Sequence, residues 1–137
     1  MNGSFVGAEF QVNSFTTSYQ AAPDTVFGPD GDFLVVWNSN GSHGTDDSGM
    51  SIQGQRFAVN GAFLDGQFQI NSYTSSSQVL PALGLGPGGN FVVVWQSLGS
   101  GGTDTSSYSI QGQRFSTYIF IDGFESGDTS AWSNAVP

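Results

Sequence analysis

Phe33-Leu34-Val35-Val36-Trp37 and Phe91-Val92-Val93-Val94-Trp95 are nearly the same strand written twice, and they decide the fold. Each is apolar at every position, which predicts an inner β-strand covered on both faces rather than a half-exposed one. A turn precedes each: Pro29-Asp30-Gly31-Asp32 in the first case, Pro87-Gly88-Gly89-Asn90 in the second. Proline pre-sets φ for the first central position of such a turn, and Gly31 accepts φ > 0. Outward from this pair the match continues, residues 10–57 returning as 68–115 at a constant offset of 58, with 29 of the 48 aligned pairs identical and no gap.

A fixed period of this size marks a repeat architecture, in which each unit buries its faces against copies of itself. Each unit reads as four strands. The first is Glu9 to Phe15 (Gln67 to Tyr73), alternating as a half-exposed outer strand does. A short second strand lies near Thr25–Phe27 (Leu83–Leu85), followed by the apolar third strand. A long loop from Asn38 to Gly49 leads to the fourth, Ser51 to Phe57. Gly54 and Gly112 fall mid-strand, where a missing side chain lets a ring or backbone come close. Asn60-Gly61 predicts a two-residue hairpin back to the outer-strand text.

The expected fold is therefore all-β: two four-stranded antiparallel blades of propeller type, with a β-sandwich as the alternative. The repeat domain spans 1–117, in units of about 9–66 and 67–117, and 118–137 form a C-terminal tail. Two blades cannot close a ring. The chain opens on outer-strand text and ends its second unit on the fourth strand, so its first strand is available to complete a last unit. The expected partner is another copy of the chain, in a ring or a filament according to whether the rotation closes.

Composition limits the function. Hydrophobic residues make up 37%, charged residues only 9%, and the net charge is −9. Nucleic-acid binding is disfavoured, because phosphate is neutralised by Lys and Arg and this chain has no lysine. Its only cations, Arg56 and Arg114, occupy the same repeat position, as do Trp37 and Trp95. These four are the expected repeat-interface residues, a guanidinium tying one unit to the next on an acceptor-rich loop or a neighbouring indole. Cysteine is absent, which excludes disulfides and thiolate metal sites. No apolar run approaches membrane-spanning length, and Met1-Asn2-Gly3-Ser4 does not read as a signal peptide. Low charge with abundant Ser, Thr, Gly and Asn favours an extracellular setting.

One loop is rich in oxygen ligands. Asn38, Asn40, Ser42, Asp46 and Asp47 form a candidate Ca²⁺ set, since calcium takes six to eight oxygens. The second copy keeps Asp104 but places Gln96 and Leu98 at the positions of Asn38 and Asn40. The competing reading is structural: Thr45-x-Asp47-x-Gly49 resembles an Asp-box turn, in which the aspartate caps a hairpin. His43 is the sole histidine, replaced by Gly101 in the other copy, and makes neither a zinc site nor a Ser-His-Asp triad by itself. No enzyme activity is expected and no cofactor is required; Ca²⁺ is the one candidate ion.

The segments Asp30-Gly31-Asp32-Phe33-Leu34-Val35-Val36-Trp37, Ile52-Gln53-Gly54-Gln55-Arg56-Phe57 and Glu9-Phe10-Gln11-Val12-Asn13 together resemble a known repeat. It is the tandem D-G-G-F-V-V-V-W … G-Q-R-F … G-x-E-F-x-V-N repeat of large bacterial extracellular proteins, often neighbours of haemolysin-type calcium-binding modules. The resemblance implies a propeller-like, non-catalytic module of a secreted or surface protein. The tail resembles a short C-terminal segment of exported bacterial proteins, which implies surface sorting; Phe120, Phe124 and Trp132 are its apolar anchors, able instead to dock on an open blade face. A structural or adhesive self-assembling module is the leading expectation. The alternative is a lectin-like module binding a glycan or protein through the loops of one face.

Overall fold

The computed structural model describes residues 3–41 and 43–116; the tail anchors Phe120, Phe124 and Trp132 lie outside the described residues, as does Ser42. Among these described residues seven strands form, in the order β1 (Gln20–Phe27), β2 (Phe33–Asn40), β3 (Met50–Phe57), β4 (Phe63–Gln69), β5 (Gln78–Leu85), β6 (Phe91–Leu98) and β7 (Tyr108–Phe115). They make two antiparallel meanders, β1-β2-β3-β4 and β5-β6-β7. The all-β expectation holds. Among the described residues the sheets have four and three strands rather than four each, and neither closes on itself.

The turns explain why the strands start where they do. Gly28 N donates to Asp32 O at 2.8 Å and Gly31 N to Gly28 O at 3.1 Å, with Gly31 at φ 83°. Ala58, Ala62 and Gly61 repeat that pattern, Gly61 at φ 82°. Both are three-residue hairpin loops ending in a left-handed residue. The Asn60-Gly61 loop is thus one residue longer than predicted. Its Gly61 occupies the bulge position, and Asn60 Oδ1 accepts from Ala62 N at 3.0 Å.

The second strand of each unit runs longer than expected because a bulge carries it past proline. Register shifts between Ala21 and Asp24, and again between Val79 and Ala82, with Ala22 at φ 52° and Leu80 at φ 53°. Pro23 and Pro81 sit at these bulges on edge strands, where a missing N–H costs no ladder bond.

The predicted outer strand is the main correction. Residues 9–15 form no strand, and in the second copy the strand covers Phe63–Gln69 instead of Gln67–Tyr73. β4 pairs with β3, so outer-strand text counted with the second unit completes the first sheet. Ile70 N still donates to Ile52 O at 2.8 Å, and beyond it a side chain takes over the backbone's role: Asn71 Oδ1 accepts from Ile52 N at 2.7 Å. The alternation of polar and apolar residues therefore outlasts the ladder.

The sheets pack face to face. Leu34, Val36 and Ile52 of the first meet Phe91, Val93 and Trp95 of the second, with Ile70 from the crossing segment between them. Leu83 N donates to Asp24 Oδ2 at 2.7 Å, and Leu80 N to Asn38 Oδ1 at 3.4 Å, across the same joint. On the other face of the first sheet Val35, Trp37 and Phe57 form a second cluster, against which Val12 packs. Phe10 reaches Phe57 with ring centroids 5.4 Å apart. β2 is thus covered on both faces, as its composition predicts. β6, with nearly the same text, alternates buried and exposed.

Candidate functional site

The repeat allows each position to be compared with its own copy in a different environment. The second sheet turns Phe91, Val93, Trp95 and Phe115 toward the first. Their counterparts Phe33, Val35, Trp37 and Phe57 form the cluster on the far side of the first sheet. The first sheet turns Leu34, Val36 and Ile52 toward the second, and their counterparts Val92, Val94 and Ile110 face outward. Ile52 is 0% exposed and Ile110 71%; Val36 is 0% and Val94 39%. The outward face of the second sheet therefore repeats one half of the closed joint, and the far face of the first sheet repeats the other, partly covered there by Val12 and Phe10.

The far face of the first sheet is also grooved. One apolar hollow of about 240 Å³ is lined by Val12, Ala21, Pro23, Val35 and Trp37. A second, of about 350 Å³, continues past Pro23 and Val35 to Phe27 and Phe33.

Arg56 lies in the first sheet, held by Asp32 at 3.1 Å and more loosely by the exposed Asp65 at 3.7 Å. It also borders the crevice between the sheets with Leu85 and Phe91. At Arg114 the copy of Asp32 is Asn90, and no salt bridge to Arg114 forms among the described residues. Trp95 sits in the joint and Trp37 in the far-face cluster of the first sheet, each with a buried indole N–H lacking a hydrogen-bond partner among the described residues.

The candidate calcium residues go to different partners. Asn38 is buried and faces Leu80 of the second sheet, while Asn40 and Asp47 are exposed. Asp46 is fully buried, and its Oδ2 accepts from Asn71 Nδ2 at 2.6 Å. Burial raises its pKa, which the hydrogen bonds from Asn71 and Ser48 partly counter. Among the described residues no three carboxylates or imidazoles lie together. His43 is exposed.

Asp46, rather than Asp47, is the capping aspartate. It belongs to a polar network not foreseen as a unit. Gln69 Oε1 accepts from Thr45 N at 2.9 Å and Asp46 N at 3.1 Å, and Asn71 Nδ2 reaches Gln78 Oε1 at 3.2 Å. These amides stitch the loop, the outer strand and the second sheet together. The signal was present: Gln11/Gln69, Asn13/Asn71, Gln20/Gln78 and Asp46/Asp104 are all identical pairs of the repeat.

No described helix is long and apolar enough to cross a membrane. Compared with known proteins, the chain matches no family model, no curated protein and no solved structure.

Proposed function

We propose that this chain is a non-catalytic structural or adhesive module that joins head to tail with copies of itself, in a ring or an open filament of propeller-type blades. The observation that carries this reading is Ile52 at 0% exposure against Ile110 at 71%, one residue of one repeat, closed in one sheet and open in the other. Val92, Val94 and Ile110 form an apolar surface of the kind that self-association covers. The groove along Pro23, Val35 and Phe33 of a second copy is the matching surface. One patch meeting a different patch is a heterologous contact, which propagates.

The joint between copies is weaker than the joint within one. Asp24, which binds Leu83 N across the internal joint, is replaced by Ala82 at the open face. The net charge of −9 also opposes association until salt screens it. Secretion or surface display is part of the proposal and rests on the family resemblance and the lysine-free, weakly charged composition.

Size-exclusion chromatography with light scattering tests it across a dilution series at low and physiological salt. Mass should rise with concentration and with salt. A monomer that persists at tens of micromolar in both salts contradicts the proposal.

A further inference from the structure

We propose that the joint is made by strand donation: residues Phe5–Gln11 of one copy form the missing outer strand beside β7 of the next. This rests on the self-assembly reading above and names the segment and register that would carry it.

The template is inside the chain. Phe5-Val6-Gly7-Ala8-Glu9-Phe10-Gln11 is the repeat copy of Phe63-Leu64-Asp65-Gly66-Gln67-Phe68-Gln69, which is β4. β4 pairs with β3 through Gln53↔Gln69, Gly54↔Phe68, Arg56↔Leu64 and Phe57↔Phe63. β7 repeats β3, yet among the described residues no strand lies on its outer side. The corresponding register is Gln111 with Gln11, Gly112 with Phe10, Arg114 with Val6, and Phe115 with Phe5. Phe5 and Val6 are meanwhile fully exposed and in no strand. An open β-edge and an unpaired strand of matching sequence are the two halves of β-augmentation.

The donor is already shaped. Asp65 holds φ 64° where β4 shifts register between Gly54 and Arg56, and its copy Gly7 holds φ 93° without any partner strand. The segment behind the donor repeats the internal hydrogen bonds one for one. Gln11 Nε2 donates to Asn13 O at 2.8 Å as Gln69 does to Asn71 O at 2.6 Å. Asn13 Nδ2 donates to Phe15 O at 2.9 Å as Asn71 does to Tyr73 O at 3.0 Å. Asn13 and Gln11 thus present the same carbonyl oxygens that Asn71 and Gln69 offer to Ile52 N and to the Thr45 and Asp46 amides. The corresponding donors in the acceptor copy are Ile110 N, Thr103 N and Asp104 N.

The acceptor has the right gap. A Cβ on Gly54 would meet the Phe68 ring at 3.0 Å, whereas one on Gly112 would meet only its own sheet, Val94 Cγ1 at 3.3 Å and Val93 O at 3.4 Å. The Phe10 ring of the donor belongs over Gly112. The donor comes from a second copy because Val12 and Phe10 are fastened to the face of the first sheet that looks away from the second. That sheet stands between the donor and its own β7.

The test is disulfide trapping, which is clean in a chain without cysteine. Gln11→Cys with Gln111→Cys should give a reducible ladder of multimers under mild oxidation. Either single variant, and the opposite-facing pair Ala8→Cys with Gln111→Cys, should give no such ladder; Glu9 is no control, because its copy Gln67 donates Nε2 to Gln53 Oε1 at 3.1 Å. A synthetic peptide of residues 3–13 should cap the wild-type chain and shift its mass toward monomer. Deleting residues 1–9 should weaken association by roughly tenfold or more. If copies associate but neither trap nor peptide has any effect, strand donation is overturned while face-to-face stacking stands. A disulfide closed within one chain, or β7 occupied by residues 118–137, also overturns it. A chain that stays monomeric removes both proposals.

Discussion

Truncating the two copies of one isoleucine separates folding from assembly. Ile52→Ala removes three buried carbons at about 0.8 kcal/mol each, about 2.4 kcal/mol, and leaves a cavity that brings the loss to about 3 kcal/mol. The site is sealed on all sides, with Ile52 at 0% exposure between the sheets, so little relaxation offsets the loss. For a chain of this size that lowers Tm by roughly 10 °C. Ile110→Ala deletes the same atoms from a side chain 71% exposed, so the dilute monomer changes by about 0.5 kcal/mol or less. In the assembly Ile110 becomes what Ile52 is, and its newly buried surface is worth about 1.7 kcal/mol, a loss of roughly 10–20-fold in association. Thermal melts at a concentration where the wild type is monomeric give the first quantity. Sedimentation velocity across a dilution series gives the second. Equal losses of monomer stability for the two variants would mean that Ile110 is already covered, and unchanged association by Ile110→Ala would mean that its face is not a joint. Either result refutes the reasoning.

Other consequences follow from single residues. Gly54→Ala forces a Cβ against Phe68 at 3.0 Å and Ile70 at 3.1 Å, and should cost about 1–3 kcal/mol in denaturant titrations. Gly112→Ala should cost the monomer less, yet impair assembly. Burial raises the Asp46 pKa above its ordinary 3.8, so this group's folded form prefers the proton. Its contribution destabilises the fold above the raised value and is relieved as pH falls through it toward 3.8. The stability difference between wild type and Asp46→Asn, measured by denaturant titration at stepped pH, should therefore move in favour of wild type on acidification; a shift the other way would contradict the assignment. Because the Asp46 carboxylate is engaged by Asn71 and Ser48, EDTA should leave Tm unchanged, and a drop of several degrees on chelation would restore calcium to the loop.

Sequence alone carried the strands, their antiparallel order and the two-sheet character. Period-two alternation, proline–glycine turns and an apolar inner strand are local signals that survive in any context. The close approach at mid-strand Gly54 was legible for the same reason. The outer strand was misplaced because alternation continues past Ile70, the last residue to bond β3 through its backbone, and Asn71 then completes the edge with its side chain. Sequence left Asp46 between an ion ligand and a loop cap, because a run of Asn and Asp looks alike in either role. The partner that engages its carboxylate, Asn71, lies 25 residues away, beyond the reach of a local pattern.

What sequence by itself determined is the repeat: two units, near-identical, each needing a face on either side. What only the tertiary structure decided is which faces are satisfied. Val36 and Val94 are the same residue in the same pattern, and nothing local distinguishes them; one is sealed because the second sheet packs on it, the other is open because no described element does. Burial depends on what stands opposite a residue, and for the last unit of this repeat that neighbour belongs to another molecule in the assembly we propose.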